Sequence, residues 1–254
     1  MEKKDMQKSM YRQRRVVLAY LVAAVTIASA ALAANTAIEP ASNAGNTNWM
    51  ARHQAMNARA KQGHVDLIYV GDSIVQLYEK QGKDTWDRYY APRNAVNLGI
   101  SWDRTEHVLW RLDHGNIDGI SPKLAIVMIG QNNGPHNTAA EIGAGVTAVV
   151  QKIHAKLPTT KILLLAIFPR REKPTEEREV LAKASRIAAK LADNNTIFYM
   201  DINKIFLRPD GSIPAQLMPD FQHPSAKGYR RWAEAIEAKV AELMGDKAIA
   251  PAAP

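Results

Sequence analysis

Five short apolar runs, at residues 65–70, 95–98, 124–129, 162–167 and 197–200, recur along the chain with helix-length segments between them. The runs are nearly continuous in hydrophobic residues rather than alternating, which is the pattern of strands covered on both faces. Helical patterns fall at 74–81, 104–113, 138–157, 175–191 and 225–244, and parallel strands need crossovers of this kind. Strand and helix alternating five times predict one three-layer α/β/α domain around a five-stranded parallel sheet. A polar helix over 49–62, ended by Gly63, precedes the first strand.

With 254 residues the chain has enough length for one full-sized domain and its tails. Residues 48–245 are read as the domain, 35–47 as an Ala-, Asn- and Thr-rich linker and 246–254 as a flexible tail. The formal charge of +8 is unevenly placed: half of it lies in the first fifteen residues, among Lys3, Lys4, Lys8, Arg12, Arg14 and Arg15. The remainder forms no dense basic run, which argues against a nucleic-acid partner. An uncharged stretch at 16–38 follows the basic start, and Ala31-Leu32-Ala33 within it fits a small-residue cleavage site. Residues 1–34 are therefore expected to be a signal peptide or an N-terminal anchor. The protein is expected to be exported, to a periplasm or beyond, with membrane contact only through that segment if it stays uncleaved. The chain has no cysteine, which excludes disulfides, a thiol nucleophile and thiolate metal sites.

Each strand end carries turn-forming or polar residues: Gly71-Asp72-Ser73, Gly99-Ile100-Ser101-Trp102-Asp103, Gly130-Gln131-Asn132-Asn133 and, late in the chain, Asp220-Phe221-Gln222-His223-Pro224. Carboxyl ends of parallel strands open on one crevice, so these segments can meet. A serine there is a weak nucleophile until a base takes its proton. Asp220 and His223 have a spacing that lets a carboxylate orient an imidazole toward the serine; a helix cap and a surface histidine is the competing reading. Asn132, with the backbone N–H groups of Ser73 and of the loop after the second strand, can donate to an oxyanion. Asn-Asn-Gly is also ordinary turn chemistry. His107 and His114 lie seven apart around a helix, but no third ligand accompanies them and no zinc site is read there. Asp103 and Arg104 are read as fixing the loop after the second strand.

Taken in order, these blocks resemble the SGNH (GDSL-type) hydrolases, and among them the bacterial relatives of platelet-activating-factor acetylhydrolase catalytic subunits. The resemblance spans about residues 60–244 and includes His107-Val108-Leu109-Trp110-Arg111-Leu112. It implies a flavodoxin-like strand order, 2-1-3-4-5. It also implies Ser73 as nucleophile, His223 as base, Asp220 as its orienter, and Ser73, Asn132 and the second-block loop as oxyanion donors, with no metal or cofactor. The family usually has Gly-x-Gly-Gly-Asp in that loop, so Trp102 stands where a glycine donates its N–H. We expect Trp102 still to donate and its indole to shape the pocket. The implied activity is hydrolysis of short-chain, especially acetyl, esters of a lipid or carbohydrate through an acyl-enzyme. A lysophospholipase or thioesterase, and a non-catalytic sugar- or lipid-binding module, are the alternatives.

Overall fold

In the computed structural model, which describes residues 34–251, the apolar runs form strands β1 (Leu67–Gly71), β2 (Ala95–Gly99), β3 (Leu124–Met128), β4 (Lys161–Leu165) and β5 (Ile197–Met200). All pairs are parallel and the order is β2-β1-β3-β4-β5, as the resemblance implies. Alternate residues of each strand point to opposite faces. Ile68, Val70, Val96, Leu98, Ala125 and Val127 therefore belong to one core, while Leu67, Tyr69, Leu124, Ile126 and Met128 belong to the other. Together these two cores are why the strands lack polar alternation.

Helices α1 (Thr47–Lys61), α2 (Ser73–Gln76), α3 (Lys83–Tyr89), α4 (Thr105–Asp113), α5 (Ala139–Lys156), α6 (Glu176–Ala188) and α7 (Ala226–Met244) cover these faces. The first core takes Met56 of α1, Val108 and Leu112 of α4, Ile142 and Val149 of α5 and Leu181 of α6. The second takes Ile74 and Val75 of α2, Tyr89 of α3, and Tyr229, Trp232 and Ile236 of α7.

Several boundaries differ from the sequence reading. The helix expected over 74–81 is one turn of α2 followed by a 3-10 turn at Leu77–Glu79. A further helix, α3, follows, because Trp86, Tyr89 and Tyr90 at helical spacing join an aromatic cluster with Tyr69 and Tyr78. The segment read as a linker is docked on the domain. Thr105 Oγ1 donates to Ala37 O at 2.7 Å, Ala41 N donates to Glu106 O at 3.1 Å, and Asn46 caps α1. The expected flexible tail is clamped as far as the described residues run. Buried Arg93 pairs with both Glu237 and Asp246, and Ile249 N donates to Glu237. The expected signal or anchor segment lies outside the described residues, apart from its last residue. Among the described residues no helix is long and apolar enough to cross a membrane.

The register aligns the carboxyl ends of three neighbouring strands, with Gly71 beside Gly99 on one side and Met128 on the other. Both glycines permit close approach. A Cβ on Gly71 would sit 2.4 Å from Met128 O, and one on Gly99 would sit 2.4 Å from Gln76 N. These contacts seat the start of α2 tightly on the sheet edge.

Candidate active site

Asp72 is the single residue between the end of β1 and the start of α2. Its Oδ1 accepts the Ile74 N–H at 2.9 Å and caps α2, which makes Ser73 the first helical residue at the crevice floor, 9% exposed. Asp72 itself is fully buried and its Oδ2 has no hydrogen-bond partner. Burial raises this carboxyl to about 7, and Asp103 nearby adds to the rise; the Ile74 N–H and Arg170 oppose it.

The long loop before α7 brings the other two groups. Ser225 caps α7 through the Gly228 N–H and donates its own backbone N–H to Leu217 O, which anchors the preceding turn. Within that turn Asp220 Oδ1 accepts the backbone N–H groups of Gln222 and His223 at 3.0 and 2.7 Å. Its Oδ2 lies 2.6 Å from His223 Nδ1, and His223 Nε2 lies 2.9 Å from Ser73 Oγ. With the ring proton on Nδ1 and donated to Asp220, Nε2 is free to accept the serine proton. Partial burial pushes the Asp220 carboxyl up, but the hydrogen bonds from the His223 side chain and from the His223 and Gln222 backbone outweigh it. They hold the group below its ordinary value. Asp220 stays ionised beside the imidazole.

The oxyanion candidates stand on the adjacent strand ends. Among the described residues the backbone N–H groups of Ser73 and Trp102 donate to no loop or cap acceptor. Asn132, in a 3-10 turn after β3, donates one amide hydrogen to Asp103 O at 3.0 Å and keeps the second. The same bond ties the loops after β2 and β3 together. Trp102 does adopt a glycine-like backbone, with φ +69°, and its ring is 75% exposed. It borders a groove of about 360 Å³ lined by Trp102 and Pro135 together with Asn43, Arg104, His107, Asn132, His136 and Arg170.

The loop is held from beneath by groups that sequence reading assigned no such part. Trp49 Nε1 and Arg111 Nε donate to Asp103 at 2.6 and 2.8 Å, and Arg111 also donates to Asn116 and to Leu98 O. Burial drives Asp103 up and Arg111 down, each toward neutrality, and their mutual attraction opposes both shifts. The available signal was Arg111 itself, a charged residue on the stripe formed by Val108 and Leu112. Gln76 fixes Ser101 through its N–H and hydroxyl, and Arg170 reaches Gln222 beside the histidine. Nothing in the sequence pattern marks those two contacts. Arg104 pairs with Glu106, and His107 Nδ1 accepts the Arg104 N–H. His114 instead stacks on Trp110. Among the described residues no group of three His, Cys, Asp or Glu could hold a metal ion.

A serine, a histidine and an aspartate in hydrogen-bonded series at the carboxyl edge of a 2-1-3-4-5 parallel sheet are the features of an SGNH-type hydrolase. Comparison with known proteins agrees. The model of the GDSL-like lipase/acylhydrolase family matches residues 69–231. The rat platelet-activating factor acetylhydrolase IB subunit alpha2 is 35% identical over 201 residues, covering 79% of this chain and 86% of the relative. Its human counterpart is 34% identical over the same shares. Among solved structures, a GDSL-like lipase from Bacteroides thetaiotaomicron superposes with TM-score 0.57 at 16% identity, covering 76% and 97% of the two chains. An acetylxylan esterase from Geobacillus stearothermophilus superposes with TM-score 0.54 at 19% identity, covering 73% and 96%. The chain belongs to the GDSL-like lipase/acylhydrolase family, and its class is that of a carboxylic ester hydrolase.

Proposed function

We propose that the protein is a serine esterase that removes short acyl groups, acetyl above all, from a lipid or carbohydrate alcohol through an acyl-enzyme on Ser73. The observation that carries this reading is the unbroken contact series from Ser73 Oγ through His223 to Asp220. In the first half-reaction Ser73 Oγ attacks the ester carbonyl while its proton moves to His223 Nε2. Asp220 stabilises the imidazolium that forms. The tetrahedral oxyanion is met by the N–H groups of Ser73 and Trp102 and the free amide hydrogen of Asn132; one such donor is worth about 2.7–4 kcal/mol in the transition state. As the tetrahedral centre collapses, the bond to the alcohol oxygen breaks and His223 returns its proton to that oxygen. Water then repeats the sequence on the acyl-enzyme and frees the acid and Ser73. The preference for acetyl is supported by the names of the relatives, an acetylhydrolase and an acetylxylan esterase.

A p-nitrophenyl ester series from acetyl to octanoyl tests it. The expected result is highest kcat/KM for acetyl, falling at least about tenfold by octanoyl, with Ser73→Ala inactive throughout; one full tenfold step corresponds to about 1.4 kcal/mol. A maximum at octanoyl would assign the enzyme to the long-chain alternative.

A further inference from the structure

The loop after β2 is rigid on both sides of a strained residue. Ser101 is held by Gln76 Oε1 at 2.7 and 2.8 Å, and Asp103 by Trp49 and Arg111. Between them Trp102 occupies the left-handed region at φ +69°, which is costly for a bulky residue and cheap for glycine. The indole is nevertheless 75% exposed and stacks on no other ring among the described residues. Backbone strain kept for an unburied ring points to a task outside the fold.

The groove beside the ring narrows what that task is. No Ala, Val, Leu, Ile or Met side chain lines it, so an alkyl chain laid there would meet rings and polar side chains rather than aliphatic ones, and burial against apolar surface is its only source of affinity. A phosphate headgroup would seek unneutralised cations. Arg104 is paired with Glu106 at 2.6 Å, while Arg170 and Arg171 share the carboxylate of Glu177, each at 3.0 Å. The groove therefore offers many N–H donors, with its positive charge partly neutralised. A sugar ring fits both halves: its C–H face gains dispersion and hydrophobic contact on an indole, and its hydroxyl oxygens accept from Asn, His and Arg N–H groups.

We infer that Trp102 is the platform on which the leaving alcohol stacks, and that this alcohol is the sugar ring of an acylated saccharide whose ester carbonyl lies at Ser73. The inference rests on the esterase reading of Ser73 for its chemistry: the sugar oxygen released from the acyl carbon takes the proton held by His223. Trp102 thus serves twice, through its backbone N–H toward the oxyanion and through its ring toward the alcohol.

Binding can be read without turnover in the Ser73→Ala protein, using a monoacetylated methyl glucoside as ligand and calorimetry with tryptophan fluorescence as readouts. Saturable binding is expected, with the fluorescence change arising from Trp102. Adding Trp102→Ala weakens Kd about tenfold or more, a loss of one good contact, while Trp102→Phe keeps the calorimetric Kd within about threefold and abolishes the fluorescence change. The phenylalanine variant retains a ring and a folded loop, so it decides the question even if the alanine variant is unstable. Absence of sugar binding overturns the inference, as does binding that survives Trp102→Ala unchanged. Tighter, Trp102-dependent binding of the hexadecyl ether of acetylglycerol overturns it in favour of a lipid. Hydrolysis of p-nitrophenyl acetate by the unmodified enzyme is scored separately: its failure with sugar binding intact counts against the esterase reading and leaves the platform standing.

Discussion

At Asp72 a carboxyl group is buried completely, gives one oxygen to the Ile74 N–H and leaves the other without a partner. Its folded-state value of about 7 stands above its ordinary value of 3.8, chiefly through burial. Between those values the folded chain keeps a proton that the unfolded chain has lost, so stability falls as pH rises through the window. The cost is absent below about pH 4 and complete above about pH 7. Asp72→Asn, which retains the capping oxygen and cannot ionise, should flatten this part of the profile in urea unfolding between pH 4 and pH 8. Identical slopes for both proteins would show that Asp72 does not titrate there. Residues of this kind set the limit of sequence reading. Ser73, Asp220 and His223 could be singled out from residue type, spacing and order, and the structure brings them into one contact series. The unpartnered oxygen of Asp72 and the left-handed backbone of Trp102 depend on what surrounds them, which no local pattern records.

Elements carry the site through their ends. β1, β2 and β3 finish level with one another, and the segment after each carries a candidate site residue: Ser73, Trp102 and Asn132. The loop after β2 is supported by the buried Asp103–Arg111 pair, in which both side chains are 0% exposed. Arg111→Met should cost roughly 3–5 kcal/mol, because it leaves a buried carboxylate uncompensated. Adding Asp103→Leu to it should restore part of that loss, since two apolar groups leave no buried charge. Chemical denaturation of the two single variants and the double variant measures both effects; a double variant as unstable as the sum of the singles would remove the charge-pair argument. Strands and long helices were readable from hydrophobic period alone, and the order 2-1-3-4-5 came from family resemblance. Segments judged by composition fared worse. Residues 35–47 and 246–251 look like linker and tail but are tied down by Thr105, Glu237 and Arg93, partners distant in sequence.

For the molecule as a whole, the sheet positions chemistry that none of its parts has alone. Ser73 and His223 are 150 residues apart in sequence and 2.9 Å apart in space. They meet because β1 is an interior strand of the sheet and α7 is tied to the start of α2 through Tyr229, whose hydroxyl donates to Ile74 O at 2.7 Å. Two cores, one on each side of the sheet, support that edge, and the groove walls come largely from the loops at its rim. The central claim is that Ser73 is a nucleophile activated by His223. A fluorophosphonate probe tests it directly, with the labelled peptide identified by mass spectrometry. The account predicts a single modification on Ser73, absent in Ser73→Ala and slowed by at least about a hundredfold in His223→Ala, as expected when a base contributes about 10²–10⁴-fold. Labelling at another residue, or equal labelling of folded Ser73→Ala and the unmodified protein, would contradict it.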